Sequence, residues 1–194
     1  MKRSLAIIAA LLLGATAEVA AQSQGGLAIK GGLSYGDVSN RGVLPGSLRG
    51  RTGFAVGVSA ITGGFLGLGV EGLYAQRGVI SANDPDSRKL DYVDVPAYVR
   101  MGLPPLGLTP FAYAGPQVSF ELRCRTGSGD CPSTDRPKTT YAAVIGGGVR
   151  LGAQGGFTVE GRYIYGLTDL KLSTVTSSQS YRTRSFLLLG GLSF

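Results

Sequence analysis

Apolar and polar residues alternate along nearly the whole chain after residue 25, with a period of two instead of the 3.6 of a helix. In the stretch GLAIKGGLSYG, Leu27, Ile29 and Leu33 share one face, whereas Lys30 and Ser34 share the other. The same alternation recurs in seven further segments: 52–61, 65–77, 92–101, 109–122, 139–152, 156–168 and 181–194. The pattern therefore predicts an all-β fold of eight strands.

The connections between these segments fall into two classes that alternate along the chain. Three are short and nearly uncharged (62–64, 103–108 and 153–156), and four are long and charged (37–51, 78–89, 123–138 and 169–180). Short periplasmic turns and long extracellular loops on an even number of strands are typical of bacterial outer-membrane barrels. The alternation predicts an eight-stranded antiparallel up-and-down transmembrane β-barrel. A soluble eight-stranded barrel of the lipocalin kind is the alternative.

The placement of charge separates these two barrels, because a membrane barrel turns its apolar face outward and a lipocalin turns it inward. Eight charged residues, four of each sign, lie on the parity opposite to the apolar one: Lys30, Glu71, Asp94, Arg100, Glu121, Arg150, Glu160 and Arg162. We interpret them as a charge network in the lumen of a membrane barrel. Lys30 and Glu71 are expected at mid-height, with Arg100 and Arg150 near the periplasmic end, within reach of Glu160 and Arg162. Chance balance on a solvated face is the alternative.

Aromatic residues on the apolar parity cluster at two heights. Seven lie near the predicted outer rim (Tyr35, Phe54, Tyr74, Phe120, Tyr141, Tyr165 and Phe186), and Phe157 and Phe194 lie near the inner rim. Girdles of this kind are expected at the two membrane interfaces. Because the last strand must close against the first, Phe194 is predicted to end a barrel strand and to act as an assembly signal for the barrel-assembly machinery.

The first 21 residues have the layout of a secretory signal peptide. A basic start is followed by an apolar stretch and by small residues at Val19 and Ala21. We expect cleavage after Ala21, a β-barrel domain over residues 22–194, and location in the bacterial outer membrane; a retained anchor helix is the alternative. Cys124 and Cys131 are expected to form a disulfide, because exported proteins meet an oxidising compartment and the chain has no histidine to complete a zinc site.

The composition argues against several activities. Small outer-membrane enzymes use histidine as a base, and the chain has none, so no enzyme, catalytic residue, cofactor or metal is predicted. The net charge of +7 comes from the long loops, and no nucleic-acid motif accompanies it. These basic loops are expected to meet membrane lipid and the phosphates of lipopolysaccharide, with simple solvation as the alternative.

Six segments in order, among them IKGGLSYG, YVDVPAYVRMG and RYIYGLTDL, resemble the PorT-like outer-membrane β-barrel domain, which is related in architecture to the small OmpA-type barrels. The resemblance covers residues 26–194 and implies an eight-stranded outer-membrane barrel without fixing a ligand or a reaction. Since eight strands leave a lumen that side chains can fill, we favour a monomeric scaffold that presents extracellular loops to a protein partner that the sequence does not identify. A small-solute channel or a secretion-assisting barrel is the alternative.

Overall fold

The computed structural model describes residues 26–38, 48–81, 88–103, 108–126, 129–130, 138–152, 156–168 and 182–194. Within these ranges the alternating segments form eight long strands: β1 (Gly26–Val38), β2 (Leu48–Ile61), β3 (Leu66–Ser81), β4 (Arg88–Gly102), β5 (Leu108–Thr126), β6 (Thr139–Leu151), β7 (Gly156–Gly166) and β8 (Thr183–Ser193). A two-residue strand, Gly129–Asp130, folds back on the end of β5. None of the described residues forms a helix long and apolar enough to cross a membrane.

The strands close into a barrel. Each one pairs antiparallel with its neighbours in the chain, and β1 also pairs with β8 along a register that joins Leu33 to Leu188. The backbone N–H of Phe194 continues this seam by donating to the carbonyl of Leu27, at 3.0 Å. Closure gives each of the eight long strands two neighbouring strands to pair with, which is the condition for a sheet in lipid. The predicted fold, a closed eight-stranded antiparallel barrel, is confirmed.

The two faces of the barrel have the polarity of a membrane protein. Outward-facing side chains are apolar and exposed, as at Val58 (60%) and Leu68 (64%), whereas their neighbours Ser59 and Glu71 face inward and are 2–3% exposed. An apolar surface of this extent is expected to contact lipid and not water. The inward position of the charged parity excludes a lipocalin-like arrangement.

The strands on one side of the barrel extend further than the alternation predicts. β2 begins at Leu48, β3 continues to Ser81, β4 begins at Arg88 and β5 continues to Thr126, all within segments that the sequence assigned to long loops. Backbone pairing between β4 and β5 continues through Lys89 and Arg125. A charged residue does not end a strand if its backbone can still pair with the neighbouring strand above the membrane. Strands β2–β5 therefore extend beyond the other strands at the long-loop end, and we call this extension the raised wall.

The interior is less polar than the sequence suggested. Beside the charged mid-height and toward the long-loop end, inward-facing apolar side chains form what is here called the apolar layer: Ala55, Leu73, Ala75, Ala142, Val144, Ile164, Leu187 and Leu189. Buried polar side chains lie opposite several of them in register, such as Asp94 opposite Leu73 and Gln117 opposite Ala142. Leu187 and Leu189 belong to β8, which is apolar on both faces, so alternation alone could not show that this strand also packs inward. The apolar layer fills the lumen by ordinary close packing.

Candidate functional site

Four charged side chains at mid-height form a closed ring across the lumen, here called the charge ring: Lys30, Glu71, Glu160 and Arg162. The ammonium of Lys30 lies 2.6 Å from Oε1 of Glu71 and 2.9 Å from Oε2 of Glu160. Nη2 of Arg162 contacts the same two carboxylates, at 2.5 Å and 2.8 Å. Each charge therefore meets two opposite charges, the total is zero, and the side chains are at most 4% exposed.

Two tyrosines extend the charge ring. The hydroxyl of Tyr98 donates to Oε1 of Glu71 at 2.6 Å, and that of Tyr113 donates to Oε1 of Glu160 at 3.1 Å. Tyr113 also accepts a bond of 2.8 Å from Nε of Arg162. The two aromatic rings contact each other with centroids 4.6 Å apart. Each carboxylate thus receives three donors, which is the saturation that burying a charge demands.

Glycines opposite the two tyrosines provide the space for their rings. Gly69 pairs in register with Tyr98, and Gly146 pairs with Tyr113. A Cβ atom added at Gly69 would lie 2.3 Å from the Tyr98 ring, and one at Gly146 would lie 2.4 Å from the Tyr113 ring. The bare backbone at these positions lets both rings lie flat against the wall and point their hydroxyls at the charge ring.

Arg100 and Arg150 lie on the short-turn side of the charge ring, as the sequence predicts. Both line a cavity of about 10 Å³ together with Glu160 and Thr158, a volume that suits one water molecule. The guanidinium of Arg100 lies over the Phe111 ring, 4.1 Å from its centroid. The described ion pairs of Glu160 join it to Lys30 and Arg162.

The other two predicted lumen charges, Asp94 and Glu121, lie closer to the long-loop end. Asp94 is fully buried on β4 and pairs with Arg77 on β3, a residue that the sequence interpretation omitted. Glu121 is part-buried near the end of β5, eight residues along that strand from Tyr113. The predicted single network of eight charges is therefore divided: four residues form the charge ring, and Asp94 takes a separate partner. Arg77 could have been found, since it shares the inward parity of Glu71.

The predicted disulfide and rim residues are placed as follows. Cys124 is buried near the end of β5 and is disulfide-bonded, whereas Cys131 lies outside the described residues. The outer-rim aromatics Phe54 and Tyr74 face outward with ring centroids 5.6 Å apart. Phe194 is 70% exposed at the opposite rim, and its role in assembly stays a prediction. Residues 1–25, which include the predicted signal peptide, lie outside the described residues.

The described contacts of this interior join strands to one another across the lumen. Among the described residues, no three histidine, cysteine, aspartate or glutamate side chains come together as a metal site. The carboxylates of the charge ring are each bound by two cations and a tyrosine, so their contacts lie within the barrel wall. The arrangement can hold strands together across the lumen and fill its cross-section.

Comparisons with known proteins agree with this architecture. The family described as "Outer membrane protein beta-barrel domain" matches residues 6–194. No curated protein sequence matches the chain.

Solved structures show the same fold at low sequence identity. The outer membrane protein AlkL, determined in lipid bilayers, superposes with a TM-score of 0.53 at 16% identity over 89% of this chain and 91% of AlkL. Neisserial surface protein A gives 0.51 at 16% identity over 87% and 97%, and OprG from Pseudomonas aeruginosa gives 0.50 at 10% identity over 89% and 99%.

Proposed function

Because the chain belongs to the outer membrane protein β-barrel domain family, and thus to the bacterial outer membrane, we propose that it is a closed scaffold barrel that presents its long loops at the cell surface. The observation that carries this proposal is the charge ring. Four side chains and two tyrosines span the lumen at mid-height with hydrogen bonds of 2.5–3.1 Å.

The apolar layer supports the same proposal. Leu73, Leu187 and Leu189 are at most 1% exposed, and so are the polar residues Asp94 and Ser34 that lie opposite Leu73 and Leu187, so side chains fill the lumen here. An ion that crossed the barrel would have to break the ion pairs of the charge ring and then displace these packed side chains. Both steps are unfavourable, because a buried ion pair is costly to break and a close-packed interior resists displacement. The interior therefore has a structural role, and the long loops and outer surface carry the proposed function.

Planar-bilayer recording tests the closed lumen. Purified protein is expected to give no steady conductance, because paired side chains occupy the path. If the protein were a small-solute channel, it would give steady currents, and these would change in Tyr98→Ser, which shortens a lumen side chain. They would not change in the control Tyr163→Ser, which makes the same substitution on the lipid-facing side. Steady currents with that dependence would contradict the closed scaffold and support a small-solute channel.

Surface presentation is tested by epitope insertion. A tag placed after Asp130, in the hairpin beyond β5, should be labelled by antibody on intact cells. The same tag in the short turn at Gly63 should be labelled only after the outer membrane is permeabilised. Labelling of the Gly63 tag on intact cells would show that the barrel is inserted the other way up.

A finer assignment also follows from the sequence. We propose that the chain belongs to the PorT-like branch of small barrels, on the strength of the ordered segments that end in RYIYGLTDL. This branch makes assistance of secretion an alternative role. Deletion of the gene in its native host, followed by comparison of secreted and retained protein, distinguishes it, since a surface scaffold predicts no general secretion defect.

A further inference from the structure

Cationic side chains from four consecutive strands converge on a cavity at the long-loop end. The cavity has a volume of about 210 Å³ and is lined by Arg51 of β2, Gln76 and Arg77 of β3, Lys89 and Asp91 of β4, and Arg125 of β5. We call it the basic cavity. It lies in the raised wall of β2–β5, where Arg77 is six residues further along β3 toward the long loops than Glu71 of the charge ring.

Positive charge is in excess in the basic cavity. Of the four cations, Arg77 is already paired with Asp94. Among the described lining residues, Asp91 is the one acid that faces the remaining three cations. Lys89 and Arg125 are moreover directly opposite each other in the β4–β5 register, and Asp130 of the hairpin lies opposite Arg125 on its other side. Like charges in directly opposed positions destabilise a sheet, and an anion placed between them removes that repulsion.

The height of the basic cavity indicates which anions it meets. Arg51 and Arg77 lie three residues further toward the long loops than the outward-facing aromatics Phe54 and Tyr74 on the same strands. Three residues correspond to about 10 Å along a strand, and to less in height because barrel strands are tilted. Aromatic girdles mark the membrane interface, so the basic cavity lies at the level of the outer-leaflet head groups.

Size and side-chain chemistry narrow the ligand. A volume of about 210 Å³ is several times the roughly 30 Å³ of a water molecule and leaves room for a sugar beside an anionic group. Arg51 and Arg125 offer planar forks that match phosphate in two-point contacts, and Lys89 adds a point charge, whereas Arg77 already contacts Asp94. We propose that the basic cavity binds a phosphate-bearing sugar, supplied either as the head group of an outer-leaflet glycolipid or as a soluble sugar phosphate.

The test compares two double substitutions that remove the same charge from different places. Lys89→Gln/Arg125→Gln removes two exposed cations from the basic cavity. Arg182→Gln/Arg184→Gln removes two exposed cations beside Tyr165, on the opposite side of the barrel, and serves as the control. Each full-length protein is reconstituted in phosphatidylcholine nanodiscs, and binding is measured for lipid A, dephosphorylated lipid A, glucose 6-phosphate and glucose.

The wild-type protein and the control variant should bind lipid A, and both should bind dephosphorylated lipid A much more weakly. Lys89→Gln/Arg125→Gln should bind about tenfold more weakly or worse, because each charge-assisted contact to phosphate is a strong one. Binding of lipid A alone assigns the lipid source, and additional binding of glucose 6-phosphate but not glucose assigns a soluble ligand. Equal weakening in both double variants, binding that does not depend on phosphate, or no binding by the wild-type protein overturns the proposal.

Discussion

The charge ring and the basic cavity both contain arginine, lysine and acidic residues, but they differ in charge balance and in exposure to solvent. In the charge ring, two cations and two carboxylates contact one another in all four combinations and are almost inaccessible to solvent. In the basic cavity, four cations share a space of about 210 Å³, and the described ion pair there is Arg77 with Asp94. On β3, Arg77 of the basic cavity lies six residues further toward the long loops than Glu71 of the charge ring.

Access to water explains the difference. An unpaired charge in a dry interior carries a large desolvation cost, so the mid-lumen accepts charges only as a balanced set. Near the rim, water and dissolved ions solvate a cation, so an excess of one sign is tolerated and remains available to a ligand. Balanced and buried charges in this barrel therefore indicate a structural role, whereas unbalanced and accessible charges indicate a binding site.

The largest effect is expected from Glu71→Ala. This change leaves Lys30 and Arg162 with half of their counter-charge in a closed interior, and breaking a buried ion pair in this way costs about 3–5 kcal/mol. Urea unfolding of the protein in phospholipid vesicles measures the loss. Arg184→Ala, an exposed cation near the rim, should change the stability by no more than about 0.5 kcal/mol. A similar loss in both variants would remove the distinction between the buried ring and the exposed rim.

Gly69→Ala should have the next largest effect, by displacing the Tyr98 ring from the wall and its hydroxyl from Glu71. Overpacking of this kind costs about 1–3 kcal/mol. Gly72→Ala is the matched control on the same strand, because a Cβ atom there meets nothing within 4 Å. The midpoint of the heat-induced gel shift of the folded barrel should fall for the first variant and stay within error for the second. Equal midpoints would show that the tyrosine position is not fixed by the glycine.

Arg77→Ala should cost less than either, although it also leaves a buried carboxylate, Asp94, without its partner. Water from the basic cavity can enter the space that Arg77 vacates, so the penalty should be about 1 kcal/mol, the low end for a buried polar group left without its bond. The same urea titration measures it. A loss as large as that of Glu71→Ala would show that this end of the lumen is as dry as the charge ring.

Lys89→Gln/Arg125→Gln should have the smallest effect on stability, at most about 0.5 kcal/mol in either direction. Both side chains are exposed, and the substitution relieves a like-charge pair. Circular dichroism melts in detergent, run beside the wild-type protein, give the comparison. A large loss would mean that these cations stabilise the wall of β2–β5 and are not held available for a ligand.

Much of the fold could be predicted from local patterns, and the limits of those patterns are visible at particular residues. Alternation identified eight strands and placed Lys30, Glu71, Glu160 and Arg162 on the inner face, because neighbouring side chains of a strand must point to opposite faces. It failed for Leu187 and Leu189, where both faces are apolar. It also predicted strands β2–β5 to be shorter than they are, because charged residues in a segment do not reveal whether its backbone continues to pair.

What the sequence by itself determined is the polarity of the barrel: a period of two fixes, residue by residue, which side chains meet lipid and which meet the lumen. Only the tertiary structure decided which inward charges become partners. Lys30 contacts Glu71 and Glu160, which are 41 and 130 residues away in the chain. The closed register of eight tilted strands sets the height of each side chain, and that register is a property of the whole sheet that no single strand encodes.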